Sequence, residues 1–153
     1  MTQKGRSGPI RDSLAALGVV LSLLFVGYEI RQNTQVARAA AIQATADQSL
    51  QIIIAWAADE QAVRLMTRLL NGALPSEFSD DENTKLRFMF LSVFRVMENR
   101  YRQSDLGLLD DPMIFTGRAA IYRSPYLAAR WDEFRSAVVP DFAEQFEVDF
   151  GLR

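Results

Sequence analysis

The chain has 153 residues, of which 49% are hydrophobic and 24% charged, and its formal net charge is −2. That length fits one domain with residues to spare, the composition is that of a folded chain, and a weakly negative charge with dispersed basic residues argues against a nucleic-acid binder. With neither Cys nor His, the chain lacks the means for disulfides, thiolate zinc sites, thiol nucleophiles, imidazole general bases, Ser–His triads and His-ligated haem.

Residues 1–9, with Gly5, Gly8 and Pro9, read as a loose polar tail. Ser13–Tyr28 is then an uncharged run, SLAALGVVLSLLFVGY, bounded by Arg11 and Asp12 on one side and by Glu29 and Arg31 on the other. As a helix it covers about 24 Å at roughly 1.5 Å per residue, somewhat short of a hydrocarbon core of about 30 Å. Snorkelling of Arg11 and Arg31 or local thinning of the bilayer makes up the difference. A buried core helix predicts a polar stripe, yet Ser22 is the sole polar residue between Leu14 and Val26. A cleaved signal predicts a small-residue cleavage site directly after the run, and YEIRQNTQ follows instead. A transmembrane helix over 13–30 is therefore the expectation. Its orientation stays open, because Lys4, Arg6 and Arg11 precede it while Arg31 and Arg38 follow it.

No Gly or Pro interrupts Gln32–Ala58, so the helix is expected to continue. Ala39, Ile42, Ala46, Leu50, Ile53 and Ala57 recur at spacings of 3, 4, 4, 3 and 4, an apolar seam on one face. Two readings stand for it: packing within the chain's own bundle, or packing against another chain. Gly18 and Ser22 form a small-xxx-small pair that permits close approach of a second membrane helix.

Asp59 is placed to cap the next helix, with Val63, Met66, Leu69 and Leu70 as its apolar face and Gly72 and Pro75 as its stop. Ser79-Asp80-Asp81-Glu82 is a capping box that opens a helix reaching about Ser104. Leu86, Phe90, Val93, Phe94, Met97 and Tyr101 make its apolar stripe. Gly107 ends it. Asp111-Pro112, Ser124-Pro125 and Pro140 each signal a further helix start. No strand-like alternation is present.

Arg95, Glu98 and Arg102 share one face of the long helix at i, i+3 and i+7. They are either an ion-pair cluster or a group able to bind an anion. Phe142, Phe146 and Phe150 form an aromatic stripe on the last helix that docks in a groove of this chain or of a partner. The acidic residues fall largely at helix starts, where capping accounts for them, and the Glu-x-x-His pairs of helical di-metal sites are missing. No metal, cofactor or catalytic residue is expected.

The run into EIRQNT at Glu29–Thr34, the segment MENRYRQSDLGLLDD at Met97–Asp111, and SPYLAARWDEFR at Ser124–Arg135 followed by Pro140–Phe142 together resemble a widespread group of uncharacterised bacterial proteins. Members have one N-terminal transmembrane helix, an IRQNT-type junction and a short helical domain. The resemblance covers about residues 13–150 and implies an architecture rather than a chemistry.

These readings predict an all-α fold: a tail at 1–12, a transmembrane helix at 13–30, a helical extension at 31–58 and a helical bundle at 59–153. The expected protein is a single-pass protein of a bacterial inner membrane. It has membrane lipid as one partner, and copies of itself or other membrane-protein subunits as the others. Its interaction candidates are Gly18, Ser22, Ala39, Ile42, Ala46, Phe142, Phe146 and Phe150. A structural or interaction role is expected rather than an enzyme, with a ligand-binding or sensor domain as the alternative.

Overall fold

The computed structural model describes residues 8–109 and 120–152. Residues 1–7 of the tail read at 1–12, and the helix start read at Asp111-Pro112, lie outside them. The fold is all-α: α1 Gly8–Ala57, α2 Glu60–Leu70, α3 Asp80–Asp105, α4 Pro125–Arg135 and α5 Pro140–Phe150, with short 3-10 turns at Pro75–Glu77 and Ala120–Arg123. No strand occurs among the described residues.

Local signals place the helix ends. The Asp59 carboxylate accepts from the backbone N–H groups of Gln61 and Ala62 at 2.9 and 3.1 Å. These are donors that the first turn of α2 leaves without a helical partner. Asp59 also binds the Lys85 ammonium, which holds its carboxyl below the usual carboxylate range and ties the start of α2 to α3. Ser79 and Glu82 form the expected reciprocal box at the start of α3. Ser124 caps α4, and Pro125 and Pro140 occupy first-turn positions where a missing N–H costs nothing. Gly72, just beyond α2, has a φ of +87°, a conformation that a side chain would strain.

The chain falls into two compact units, Met1–Ala39 and Ala40–Arg153. The second holds the core. α3 presents Leu86, Phe90, Phe94 and Met97 inward, as its stripe predicts. α4 adds Tyr126, Leu127, Trp131 and Phe134, and α5 adds Phe142, Phe146 and Phe150. Phe94 sits among Phe90, Trp131, Phe134 and Phe146, with ring centroids 5.3–6.0 Å apart and mostly edge-to-face. This spacing suits the aromatic quadrupoles.

Three expectations are corrected. The apolar face of α2 is Ala62, Leu65 and Leu69, with Met66 partly covered, while Val63 and Leu70 are exposed. Ion pairs at both ends of the helix, Asp59 with Lys85 and Arg68 with Glu82, accompany this phase. The tail read at 1–12 is shorter, because residues 8–12 are already part of α1, and residues 40–57 group with the second unit. Finally, Phe142, Phe146 and Phe150 are unavailable to a partner. They are 0–5% exposed and pack on rings of their own chain, Phe146 stacked on Trp131, and Phe142 and Phe150 edge-to-face with Tyr101 and Tyr122.

Candidate functional site

α1 contains the one candidate membrane span among the described residues, with a mean hydropathy of 2.0 over its best eighteen-residue window and none of that window buried. Its large apolar side chains, such as Leu14, Leu17, Leu21, Leu24 and Phe25, are 55–65% exposed. Backbone hydrogen bonds are closed within the helix. The polar side chain in its middle, Ser22, donates to the Gly18 carbonyl at 2.8 Å. The space around Gly18 is open, so the small pair carries no partner within this chain.

The C-terminal third of α1 divides into three sectors when residues are projected at about 100° each. The first faces the bundle. Thr45 is fully buried, and Ala41, Ser49, Ile52 and Trp56 are partly covered. Here Thr45 Oγ1 donates to the Ala41 carbonyl at 2.7 Å and lies 3.3 Å from Gln103 Oε1 of α3. Ser49 donates to the Thr45 carbonyl at 2.9 Å. At the rim, Asn99 Nδ2 of α3 donates to Gln48 Oε1 at 3.2 Å.

The second sector, roughly a quarter-turn round, is the predicted seam. Every member of it is exposed: Ala39, Ile42 (58%), Ala46, Leu50 (54%), Ile53 (60%) and Ala57. The reading that places this seam inside the chain's own bundle is thus overturned. The bundle instead takes the neighbouring face, because the hydroxyls there are satisfied by carbonyls one turn back and cost little to bury. The third sector carries Gln43, Ala44, Asp47 and Gln51, all exposed.

Between the seam and the bundle runs a cleft of about 240 Å³, lined by Ile52, Ile53 and Trp56 of α1, Val93 and Met97 of α3, and Tyr122, with the polar side chains of Ser49 and the buried Arg100 also in its wall. Burial raises the Tyr122 phenol to about 12. Sequence reasoning missed this cleft, for which Trp56, a large residue in an Ala-rich helix, was the available signal.

The Arg95–Glu98–Arg102 group lies elsewhere, on α3. Glu98 is only 4% exposed, and its two oxygens take Arg95 Nη1 at 2.8 Å and Arg102 Nη2 at 3.0 Å, both from side chains about 60% exposed. The arginines thereby neutralise the carboxylate they flank. They line a shallow polar depression with Asn99 and do not line the apolar cleft. Among the described residues, no cluster of three acidic, His or Cys side chains offers a metal site. No family model, curated protein or solved structure matches this chain.

Proposed function

We propose that the chain is a membrane-anchored helical interaction protein. The apolar segment of α1 sits in a bilayer, and the exposed seam Ala39–Ala57 packs against another helix, in a self-assembly or as an accessory subunit of a membrane complex. The observation that carries this reading is the pairing, on one helix, of a sector packed on the bundle with an adjacent apolar sector left bare. Contiguous exposed apolar surface of this kind marks interaction sites in soluble segments and lipid contact in membrane segments. The lipid-facing portion needs no polar compensation, because its backbone is helical and the Ser22 hydroxyl is bonded.

Carbonate and high-salt extraction of membranes carrying the full chain tests the anchor. The chain is expected to stay in the pellet, and release as a monodisperse soluble species overturns the reading. A sensor role is favoured by the cleft beside Trp56, whose lining is mainly apolar. It predicts that an apolar ligand quenches or shifts Trp56 emission, and that this response vanishes in a Val93→Phe variant that fills the cleft.

A further inference from the structure

We propose that the cleft beside Trp56 binds a small monocarboxylate, its apolar body toward Trp56 and its head held by Arg100 and the Tyr122 hydroxyl. This rests on the reading of that cleft as a ligand site given above, and it names the ligand class. It does not depend on what covers the seam.

The two helices that line the cleft run antiparallel there. Thr45 lies against Gln103, while Gln48, further along α1, lies against Asn99, further back on α3. Ser49, Ile52 and Trp56 of α1 and Val93, Met97 and Arg100 of α3 line the cleft at steps of three and four residues, so each set shares one helix face. In antiparallel register Ser49 lies level with Arg100, and Trp56 with Val93. The cleft is therefore a slot with a polar end and an apolar end, about 10 Å apart at roughly 1.5 Å per residue. All of its lining residues belong to the second unit. Its volume of about 240 Å³ exceeds the roughly 150 Å³ that admits a benzene ring in an apolar protein cavity.

Two donors in the slot match a carboxylate. Arg100 is 7% exposed and lies in the wall. A guanidinium carries five N–H donors in a fixed fork, enough to serve a partner of its own and still offer an edge to a carboxylate. Tyr122 is 9% exposed and lines the same cleft. Burial alone raises its phenol, with no hydrogen bond or neighbouring charge contributing. Among the described residues no fully enclosed side-chain oxygen is left unpaired, so this hydroxyl keeps an opening. A neutral phenol O–H there can donate to an anion without adding charge. The Ser49 hydroxyl is already donated to the Thr45 carbonyl at 2.9 Å, and the other lining side chains are aliphatic, Met or Trp. One buried cation and one neutral donor suit a single carboxylate, whereas a phosphate brings more charge and more acceptors than this lining matches.

Hexanoate and its neutral counterpart 1-hexanol are titrated into the full chain in lipid vesicles, with Trp56 emission as the readout. The Val93→Phe chain, whose cleft is filled, corrects for uptake by the lipid. Hexanoate is expected to change the emission saturably, with 1-hexanol about tenfold weaker. Tyr122→Phe keeps the ring packed on Phe146 and Phe150 and is expected to weaken hexanoate several-fold. Arg100→Gln is expected to erase the preference for hexanoate over 1-hexanol. Near-UV circular dichroism checks folding, and if Arg100→Gln does not fold, Tyr122→Phe decides. Equal affinity for the two probes, or an affinity for hexanoate that Tyr122→Phe leaves unchanged, would overturn the carboxylate proposal and leave the cleft as an apolar site. No response to either probe beyond that of the Val93→Phe chain would remove the ligand site as well.

Discussion

The seam should hold chains together and contribute little to the bundle, which it touches only where Ile53 edges the cleft, and the double variant Leu50→Ala/Ile53→Ala separates the two roles. The wild-type side chains are 54% and 60% exposed in the single chain. Full burial of a Leu or Ile contributes about 2 kcal/mol, so covering the exposed half contributes about 1 kcal/mol per side chain. A symmetric pair covers four such side chains, and truncating them all weakens association by about 4 kcal/mol, roughly a thousandfold in Kd. Förster transfer between donor- and acceptor-labelled chains in lipid vesicles, diluted with increasing lipid, measures that change. Denaturant unfolding of the same variant at monomeric dilution measures the bundle, and its stability should move by less than about 0.5 kcal/mol, as for exposed substitutions generally. Association within tenfold of wild type would refute the reasoning, as would loss of bundle stability comparable to that of a core variant.

Three further predictions concern the bundle. Phe94→Ala removes a fully buried ring with four aromatic neighbours. It should cost about 4 kcal/mol in denaturant unfolding, and a loss below about 1 kcal/mol would mean that this face is not the core. Ser124→Ala deletes a buried cap on the Leu127 N–H and should cost about 1 kcal/mol, largely restored by Asn or Asp at that position. The Asp59 and Glu82 carboxyls both lie below their ordinary values of 3.8 and 4.5, Asp59 chiefly through Lys85 and Glu82 chiefly through the Ser79 N–H. Their stabilisation is therefore complete above those values and is lost as pH falls through the lower, folded values. Thermal melts stepped down in pH should show this loss, and Asp59→Asn, which keeps a capping oxygen, should flatten it. An unchanged acid slope would exclude Asp59 as a contributor.

Helix ends were legible because their signals are local. Asp59, the Ser79–Glu82 box, Ser124-Pro125, Pro140 and Gly72 each act within one turn of themselves. The inward stripe of α3 was legible for a related reason, since most of its large apolar residues recur at one angle, although buried Met89 lies beside that stripe and Phe88 is exposed. The inner face of α1 was not, because apolarity there points the wrong way. Thr45 and Ser49 go inside on hydroxyls bonded to their own helix, while Ile42, Leu50 and Ile53 stay out. A pattern rule that equates apolar with buried within one chain selects the seam and misses the packing face. Spacing likewise identified the Arg95–Glu98–Arg102 group but not the burial of Glu98, which depends on what covers α3. The Phe142–Phe146–Phe150 stripe left its groove unassigned, because any acceptor far away in sequence satisfies the same periodicity.

The chain's two tryptophans occupy different mechanical positions, so the protein carries its own optical reporters. Trp131 is enclosed, stacked on Phe146 at 4.9 Å with its indole N–H donated to Glu147 at 2.7 Å. Trp56 is half-covered on the inner face of α1, where few other large side chains hold that helix to the bundle. Red-shifted emission from Trp56 with Trp131 unchanged would signal release of α1 alone, and a joint shift would signal loss of the bundle. A Trp56→Phe chain isolates the second emitter, so peeling of the helix and melting of the domain become separately measurable in the unlabelled protein.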